Sequence, residues 1–587
     1  MFGHVDFRGP QEQIISDVIT GKDVLAIMPT GAGKSLCYQV PALVRPGTAL
    51  VISPLIALME DQVQALRAQG VRAATLNSQS ADGGQVWRDF VDGQLDLLYV
   101  SPERALSDGF GQMVQRTEIA LIAIDEAHCV SQWGHDFRPE YRQLKPFCDD
   151  LPGVPRIALT ATADRDTRID IARQLGIGDD RITLSGFDRP NIRYAVSGKD
   201  NLKRQVLAFL EGQSGRAGII YAPTRNATET ICEWLVEAGH RARPYHAGLE
   251  AGTRSRHQAD FVKSEDMVMV ATIAFGMGIN KPDVRFVVHA GLPKSIEAYY
   301  QETGRAGRDG DPAVAQLFWG GEDVARLRGF IAGGDGNEAH KANEARRMNA
   351  LIAFLETAGC RRQELLRYFG EAAPARCGNC DNCLNPPTLL DATEAARKLL
   401  SAVYRTGQRF GTGHLIEVLA GKPTEKVQKF GHHRLPLFGI GKDWPADQWK
   451  SLARQLEAAD ALERDPEHGG LVLGPAARPI LKGDVAVRLK QVAPRPPSRA
   501  ATKASGVAAD IAPEDRGLFE ELRALRRQLA ADAGVPPYIV FSDATLRAMA
   551  ARRPQTLADM ARIPGVGAVK LESWGPAFLS AIAGSAA

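Results

Sequence analysis

The sequence predicts an α/β protein with two parallel-sheet domains, followed by a cysteine-bearing helical segment, a module of short helices with a hairpin, and a small all-helical module. Three observations carry this. Apolar runs of strand length alternate with helical stretches as far as residue 335, the rhythm of parallel sheets with crossover helices. One such run, Asp23–Ile27, leads straight into the glycine-rich turn Met28-Pro29-Thr30-Gly31-Ala32-Gly33-Lys34-Ser35. Beyond residue 335 the strand rhythm stops, and three closely spaced cysteines, Cys377, Cys380 and Cys383, open a different kind of chain.

A chain of 587 residues predicts roughly four domains at about 150 residues each. At 44% hydrophobic and 24% charged residues it is globular in composition. No apolar run reaches the ~18–20 residues of a membrane span. Met1 is followed by Phe2-Gly3-His4-Val5-Asp6-Phe7-Arg8, with no secretory apolar region, so a cytoplasmic protein is expected. Eight cysteines in this length do not suggest a disulfide scaffold, and four of them are placed like metal ligands. The net charge of +2 is uninformative, but its distribution is not. Residues 397–434 hold eight Lys/Arg against two Glu, and residues 486–503 hold five Lys/Arg and no acid, which favours a polyanionic partner.

In the first domain, residues 1–190, the strand, Gly-Lys-Ser turn and following helix form a phosphate loop. Gly31 and Gly33 let backbone N–H groups approach phosphate, Thr30 belongs to the same turn, Lys34 reaches the outer phosphates and Ser35 holds magnesium. The helix N-terminus adds its dipole. The buried strand Leu121–Ile124 ends on Asp125 and Glu126. Alone, Asp-Glu-Ala-His is also a helix start. With the phosphate loop upstream, Asp125 completes the magnesium site and Glu126 orients and deprotonates water. Leu50–Leu55, Leu97–Arg104 and Arg156–Thr162 are further apolar strands ending in hydroxyl or proline residues. Between Gly134 and Pro139 and just before them stand Trp133, His135, Phe137 and Arg138. Aromatic rings beside arginine suit unpaired bases, which stack at about 1–3 kcal/mol each.

The second domain, residues 191–335, has strands at Gly218–Tyr221 and Met267–Thr272 but no phosphate loop of its own. It ends in Gln301-Glu302-Thr303-Gly304-Arg305-Ala306-Gly307-Arg308. Arginines in such a turn can reach across a cleft to a transferring phosphoryl group. In the segment 336–388, Cys360, Cys377, Cys380 and Cys383 have the spacing of a closed tetrahedral zinc site, with an iron–sulfur cluster as the rival. Residues 389–485 read as short helices, including His414–Ala420 and Asp447–Ala459, then a hairpin turning at His468-Gly469-Gly470. That order suggests a winged helix, with Arg405, Arg409, Lys426 and Lys429 for duplex phosphates. Residues 486–512 read as a flexible basic linker. Residues 513–587 are helical, with nine basic and eight acidic groups from 513 to 583 and a hairpin at Ile563-Pro564-Gly565-Val566-Gly567.

The phosphate loop, Asp-Glu-Ala-His and Thr160-Ala161-Thr162 in this order resemble a superfamily-two helicase. The stretch Ser131–Tyr141 resembles the aromatic-rich loop of RecQ DNA helicases, and the resemblance extends over essentially the whole chain. It implies two RecA-like domains, a zinc segment on the same four cysteines, a winged helix and an HRDC domain carrying Pro536-Pro537-Tyr538. It implies that Arg8 and Gln11 contact adenine and that the ring of His4 stacks on it, although tyrosine is frequent at that point and Gly9-Pro10 reverses the usual order. It places Arg305 and Arg308 as finger candidates, Arg308 first. It puts Thr224, Arg225 and Thr272 on the tracked strand, with Tyr538 as a further DNA contact. The implied activity is ATP-dependent 3′–5′ unwinding in recombination, repair and replication, with ATP, Mg2+ and one structural Zn2+. The implied partner is single-stranded, forked or tailed DNA, with single-strand-binding protein beside it, met by a monomer in the bacterial nucleoid. An RNA-dependent remodelling ATPase and a non-catalytic DNA scaffold stay open as alternatives. For residues 513–587, DNA binding through Tyr538, Arg552 and Lys570 and a protein-docking role weigh equally.

Overall fold

Residues 6–77, 83–131, 138–275, 281–334, 337–465, 469–490 and 511–585 are described by the computed structural model. Strands that are apolar on both sides need cover on both sides, and the first lobe supplies it. Val24–Ile27 (β1), Thr48–Ile52 (β2), Ala73–Leu76 (β3), Leu97–Val100 (β4), Ile119–Ile124 (β5), Arg156–Thr160 (β6) and Ile182–Leu184 (β7) form a parallel sheet ordered β3-β4-β2-β5-β6-β1-β7. Alternate residues feed two separate cores. Leu25, Ile27, Leu50, Ile52, Ile122 and Ile124 enter one. Val24, Ala26, Ala49, Val51, Leu121 and Ala123 enter the other. This is the signature of a sheet buried on both faces.

The second lobe repeats the plan. Ile192–Gly198 (β8), Gly218–Tyr221 (β9), Ala242–Tyr245 (β10), Val268–Ala271 (β11), Phe286–His289 (β12) and Ala313–Trp319 (β13) form a parallel sheet ordered β10-β11-β9-β12-β13-β8. Gly218 pairs with Phe286, and a Cβ on it would fall 2.1 Å from the Phe286 ring, so only glycine fits there. Ligands of open parallel sheets bind outside the carboxyl ends of the strands, where the phosphate loop follows β1 and Asp125 follows β5.

The helices Glu338–Glu356 and Arg361–Tyr368 flank Cys360, and the cysteine knuckle folds back on the second lobe. Cys380 makes a parallel bridge with Tyr194 of β8, so the knuckle covers an otherwise open sheet edge. The next module has its own core around the fully buried Trp449. Its helices include Thr412–Leu419 and Ala446–Ala458, within two residues of expectation, and Leu462–Arg464 (β15) pairs antiparallel with Leu471–Leu473 (β16) as the expected hairpin. The turn residue His468 lies outside the described residues. Leu389–Asp391 (β14) pairs with Arg488–Lys490 (β17), so a strand occupies part of the segment expected to be flexible linker. Leu489 of that strand is buried in the module's core, which explains why the basic composition there misled.

The last module is a short 3-10 turn and five α-helices around Phe519, Leu522, Phe541 and Phe578. It docks on the second lobe through charge. Glu265 accepts from Arg523 Nη2 at 3.0 Å and from Arg526 Nη2 at 2.5 Å. Arg547 pairs with Asp311.

Candidate active site

The phosphate loop follows β1, whose four residues are all buried, and precedes the helix Leu36–Val44. Gly31 and Gly33 adopt φ of +85° and +77°, where L side chains are strained. Space is also tight at both glycines. A Cβ on Gly31 would lie 3.3 Å from Arg308 Cα, and one on Gly33 would lie 2.5 Å from Gln11 Nε2. Lys34 Nζ donates to Met28 O at 3.2 Å and Pro29 O at 3.5 Å. Its burial lowers the ammonium below its ordinary range, with Glu126 and Asp125 opposing. Burial likewise pushes the Cys37 thiol up to about 12, which makes it an inert core residue.

Gln11 opens the helix Gln11–Ile19 and is buried. Both its amide donors go to the loop, to Ala32 O at 2.9 Å and Gly33 O at 3.1 Å. Its Oε1 accepts from the Arg8 N–H at 2.8 Å. Gln11 thus holds the phosphate loop, while the Arg8 side chain is exposed. His4 lies outside the described residues.

Asp125 follows β5 and is half-buried, and desolvation, followed by the charge of Glu126, raises its carboxyl to about 7. The Lys34 ammonium opposes that rise. A carboxylate raised in this way suits a dication, whose charge restores the ionised form. Glu126 has φ 49° and ψ 45°, a left-handed backbone held at the strand tip. Its Oε2 is buried, lies 3.3 Å from His128 Nδ1, and makes no hydrogen bond to a described residue. Burial drops His128 to about 3, so the imidazole is neutral. His128 Nδ1 lies 3.0 Å from Thr160 Oγ1, which ties Asp-Glu-Ala-His to the Thr-Ala-Thr strand end. Tyr141 Oη donates to Asp125 O at 2.9 Å.

Across the lobe boundary, the helix Ile296–Thr303 delivers Arg305 and Arg308. Arg305 is buried and Arg308 half-buried, and desolvation together with Arg305 and Arg189 pulls the Arg308 guanidinium down to about 9. Arg308 feels Glu126 and its backbone touches Gly31. Arg305 lies with Tyr221 and Glu302, further into the second lobe. Lys34, Asp125, Glu126 and Arg308 therefore converge on one cleft. The sequence reading missed Arg189, whose only linear signal is a cation before Pro190 at the lobe boundary.

The nucleic-acid candidates divide. Trp133, His135 and Phe137 lie outside the described residues. Arg138 Nη1 donates to Pro54 O at 3.4 Å. Thr224 caps the helix Arg225–Glu237, accepting from Ala227 N–H at 3.1 Å, and Arg225 is exposed. Thr272, at the end of β11, shares a groove of about 430 Å³ with Pro223, Lys294, Arg326 and Phe330. Tyr538 does not lie on an open face. It lines a cavity of about 360 Å³ with Glu60 and Asp61 of the first lobe and Ser255 and Lys263 of the second.

The Sγ atoms of Cys360, Cys377, Cys380 and Cys383 lie within 4.8 Å of one another, with two pairs at 4.0 Å. Zn–S bonds of about 2.3 Å in a tetrahedron place sulfurs about 3.8 Å apart, so one ion fits. A multi-iron cluster needs a wider cage. Arg361 fastens the site, donating to Asp381 at 2.9 and 3.1 Å and to Phe354 O and Leu355 O.

The chain matches the DEAD/DEAH box helicase family over residues 8–170 and the helicase conserved C-terminal domain over 200–310. RecQ zinc-binding follows over 321–384, the RQC domain over 386–498 and the HRDC domain over 515–582. The ATP-dependent DNA helicase RecQ of Haemophilus influenzae is 45% identical over 586 residues, 99% of this chain and 94% of the relative. The protein of the same name from Pasteurella multocida is 45% identical over 593 residues, covering 99% and 92%. That of Bacillus subtilis is 38% identical over 586 residues, covering 99% and 97%.

Proposed function

This chain belongs to the RecQ family of ATP-dependent DNA helicases, and from that premise we propose how its residues divide the work. It is an ATP-hydrolysing DNA helicase of superfamily two with a structural zinc site. The observation that carries the mechanism is the meeting of Arg308 with Gly31 beside Glu126, which brings both lobes to one phosphate site.

Thr30–Ser35 cradle the triphosphate, and Lys34 leaves its own loop carbonyls for the outer phosphates. Magnesium, held by Ser35 and Asp125, supplies charge compensation on the phosphates when bound. Glu126 accepts the proton of the attacking water through its unengaged Oε2. Arg308 is the finger, an effect of about 10³–10⁵ in rate, and Arg305 positions the turn. Arg8 and His4 take the adenine, and Gln11 reports base occupancy to the loop it already holds. Trp133, His135, Phe137 and Arg138 form the coupling loop. Thr224, Arg225 and Thr272 hold the phosphates of the tracked strand, which moves 3′ to 5′ through the enzyme. Arg405, Arg409, Lys426 and Lys429 grip duplex. The Arg409 guanidinium lies 5.6 Å from the Phe410 ring centroid and Lys426 Nζ 5.8 Å from it, a basic face braced by an aromatic ring. A monomer acting on forked or tailed DNA in the nucleoid, with single-strand-binding protein as a contact, completes the reading.

The test is steady-state ATP hydrolysis without nucleic acid, with single-stranded DNA and with single-stranded RNA. Strong stimulation by DNA alone is expected, and stimulation by RNA alone would replace this reading with a remodelling ATPase. Trp133→Ala and Phe137→Ala are expected to keep basal hydrolysis and lose both DNA stimulation and unwinding. If unwinding survives in both variants, the loop does not couple the two sites.

A further inference from the structure

The lobes join through Asp188-Arg189-Pro190-Asn191-Ile192. Arg189 is only 8% exposed. Its Nη1 donates to Thr30 O of the phosphate loop and to Gly304 O at 3.2 Å. Its Nη2 donates to Ala306 O at 3.0 Å and Gly307 O at 2.9 Å. Asn191 Nδ2 adds Gly307 O at 2.9 Å and Asp311 O at 2.8 Å. Two side chains of one short segment thus hold the backbone of the turn that carries Arg305 and Arg308, and one of them holds the first lobe as well.

The segment is itself held from the other side. Arg362 Nη2 donates to Arg189 O at 3.1 Å, Pro190 O at 3.3 Å and Ile192 O at 2.8 Å. Asn379, between Cys377 and Cys380, donates to Pro190 O at 3.0 Å. The acceptors of Arg189 are all backbone carbonyls, divided between two lobes. A planar fork with five N–H donors can span them, whereas an ammonium is a single point of charge.

We propose that Arg189 is a positioning residue for ATP hydrolysis: its guanidinium clamps the phosphate loop of one lobe to the arginine-bearing turn of the other and so sets where Arg308 stands. This rests on the reading of Arg308 as the finger. A misplacement of about 1 Å, remote from the reacting atoms, costs about 10²-fold in rate, which sets the expected effect.

The test uses Arg189→Lys in the full chain, which keeps the charge and loses the fork. The kcat of DNA-stimulated hydrolysis is expected to fall about 10²-fold. KM for ATP is expected to stay close to wild type, the split that marks an interaction made in the transition state. The variant should bind ADP normally and lose the added affinity for ADP with aluminium fluoride. An unchanged kcat overturns the proposal. So does a raised KM with kcat intact, because Arg189 would then serve ground-state binding. Loss of ADP binding together with kcat also overturns it, because the residue would then shape the loop and not the finger. Arg308→Ala, measured beside it, separates the two claims. Full hydrolysis in Arg308→Ala removes the finger reading itself. Lost hydrolysis there with a normal Arg189→Lys removes only the clamp.

Discussion

Glu126→Gln is expected to abolish ATP hydrolysis and leave DNA binding intact, and Lys34→Ala to do the same by a different route. Glutamine is isosteric, so the left-handed turn at Glu126 is kept, but the amide cannot take a proton from water. Loss of a general base alone costs about 10²–10⁴ in rate. The neighbouring carboxylate sharpens the expectation. Glu126 helps hold Asp125 above its ordinary range. Removing that charge lets Asp125 ionise more readily, so Glu126→Gln should bind Mg-ATP at least as well as wild type. Lys34→Ala should lose nucleotide affinity too, since the ammonium is the loop's reach to the outer phosphates. Nucleotide binding, single-turnover hydrolysis and DNA binding on both variants give the check. DNA-stimulated hydrolysis surviving in either one would remove these residues from the chemistry.

The parts of this site that could be read from the sequence are those built by neighbours in the chain. A strand, two glycines and Lys-Ser write a phosphate loop within a dozen residues, and Asp125-Glu126 at a strand tip is equally local. The cysteine site was legible for the same reason, because three of its ligands share one knuckle. What the sequence did not display is contact across distance. Arg189 finds Thr30 in one direction and Gly304 in the other, and nothing near it in sequence announces either partner. The docking of Arg523 and Arg526 on Glu265 joins residues more than 250 positions apart. It brings Tyr538 into a cavity shared with Glu60 and Asp61 of the first lobe and Ser255 and Lys263 of the second. Gln11 is intermediate. Its place before the loop was legible, but its commitment to Ala32 and Gly33 is a packing result.

Removal of zinc is expected to damage the ATPase site as well as the fold, and the connectivity explains why. In small zinc peptides the metal contributes about 10–16 kcal/mol of apparent binding energy at neutral pH, which is folding energy there. Here the knuckle sits on a larger scaffold, so the global fold should survive with a lowered Tm. The local consequence is sharper. Cys380 bridges Tyr194 at the edge of the second sheet, and Asn379 and Arg362 grip the segment from which Arg189 extends. Cys380→Ser should lose the zinc from metal analysis, lower Tm, and reduce kcat in the same direction as Arg189→Lys. If metal is lost while kcat and Tm stay at wild-type values, the knuckle is an isolated staple and the route from zinc to Arg308 does not exist. The opposite result places a structural ion, far from the reacting phosphate, in control of the geometry on which hydrolysis depends.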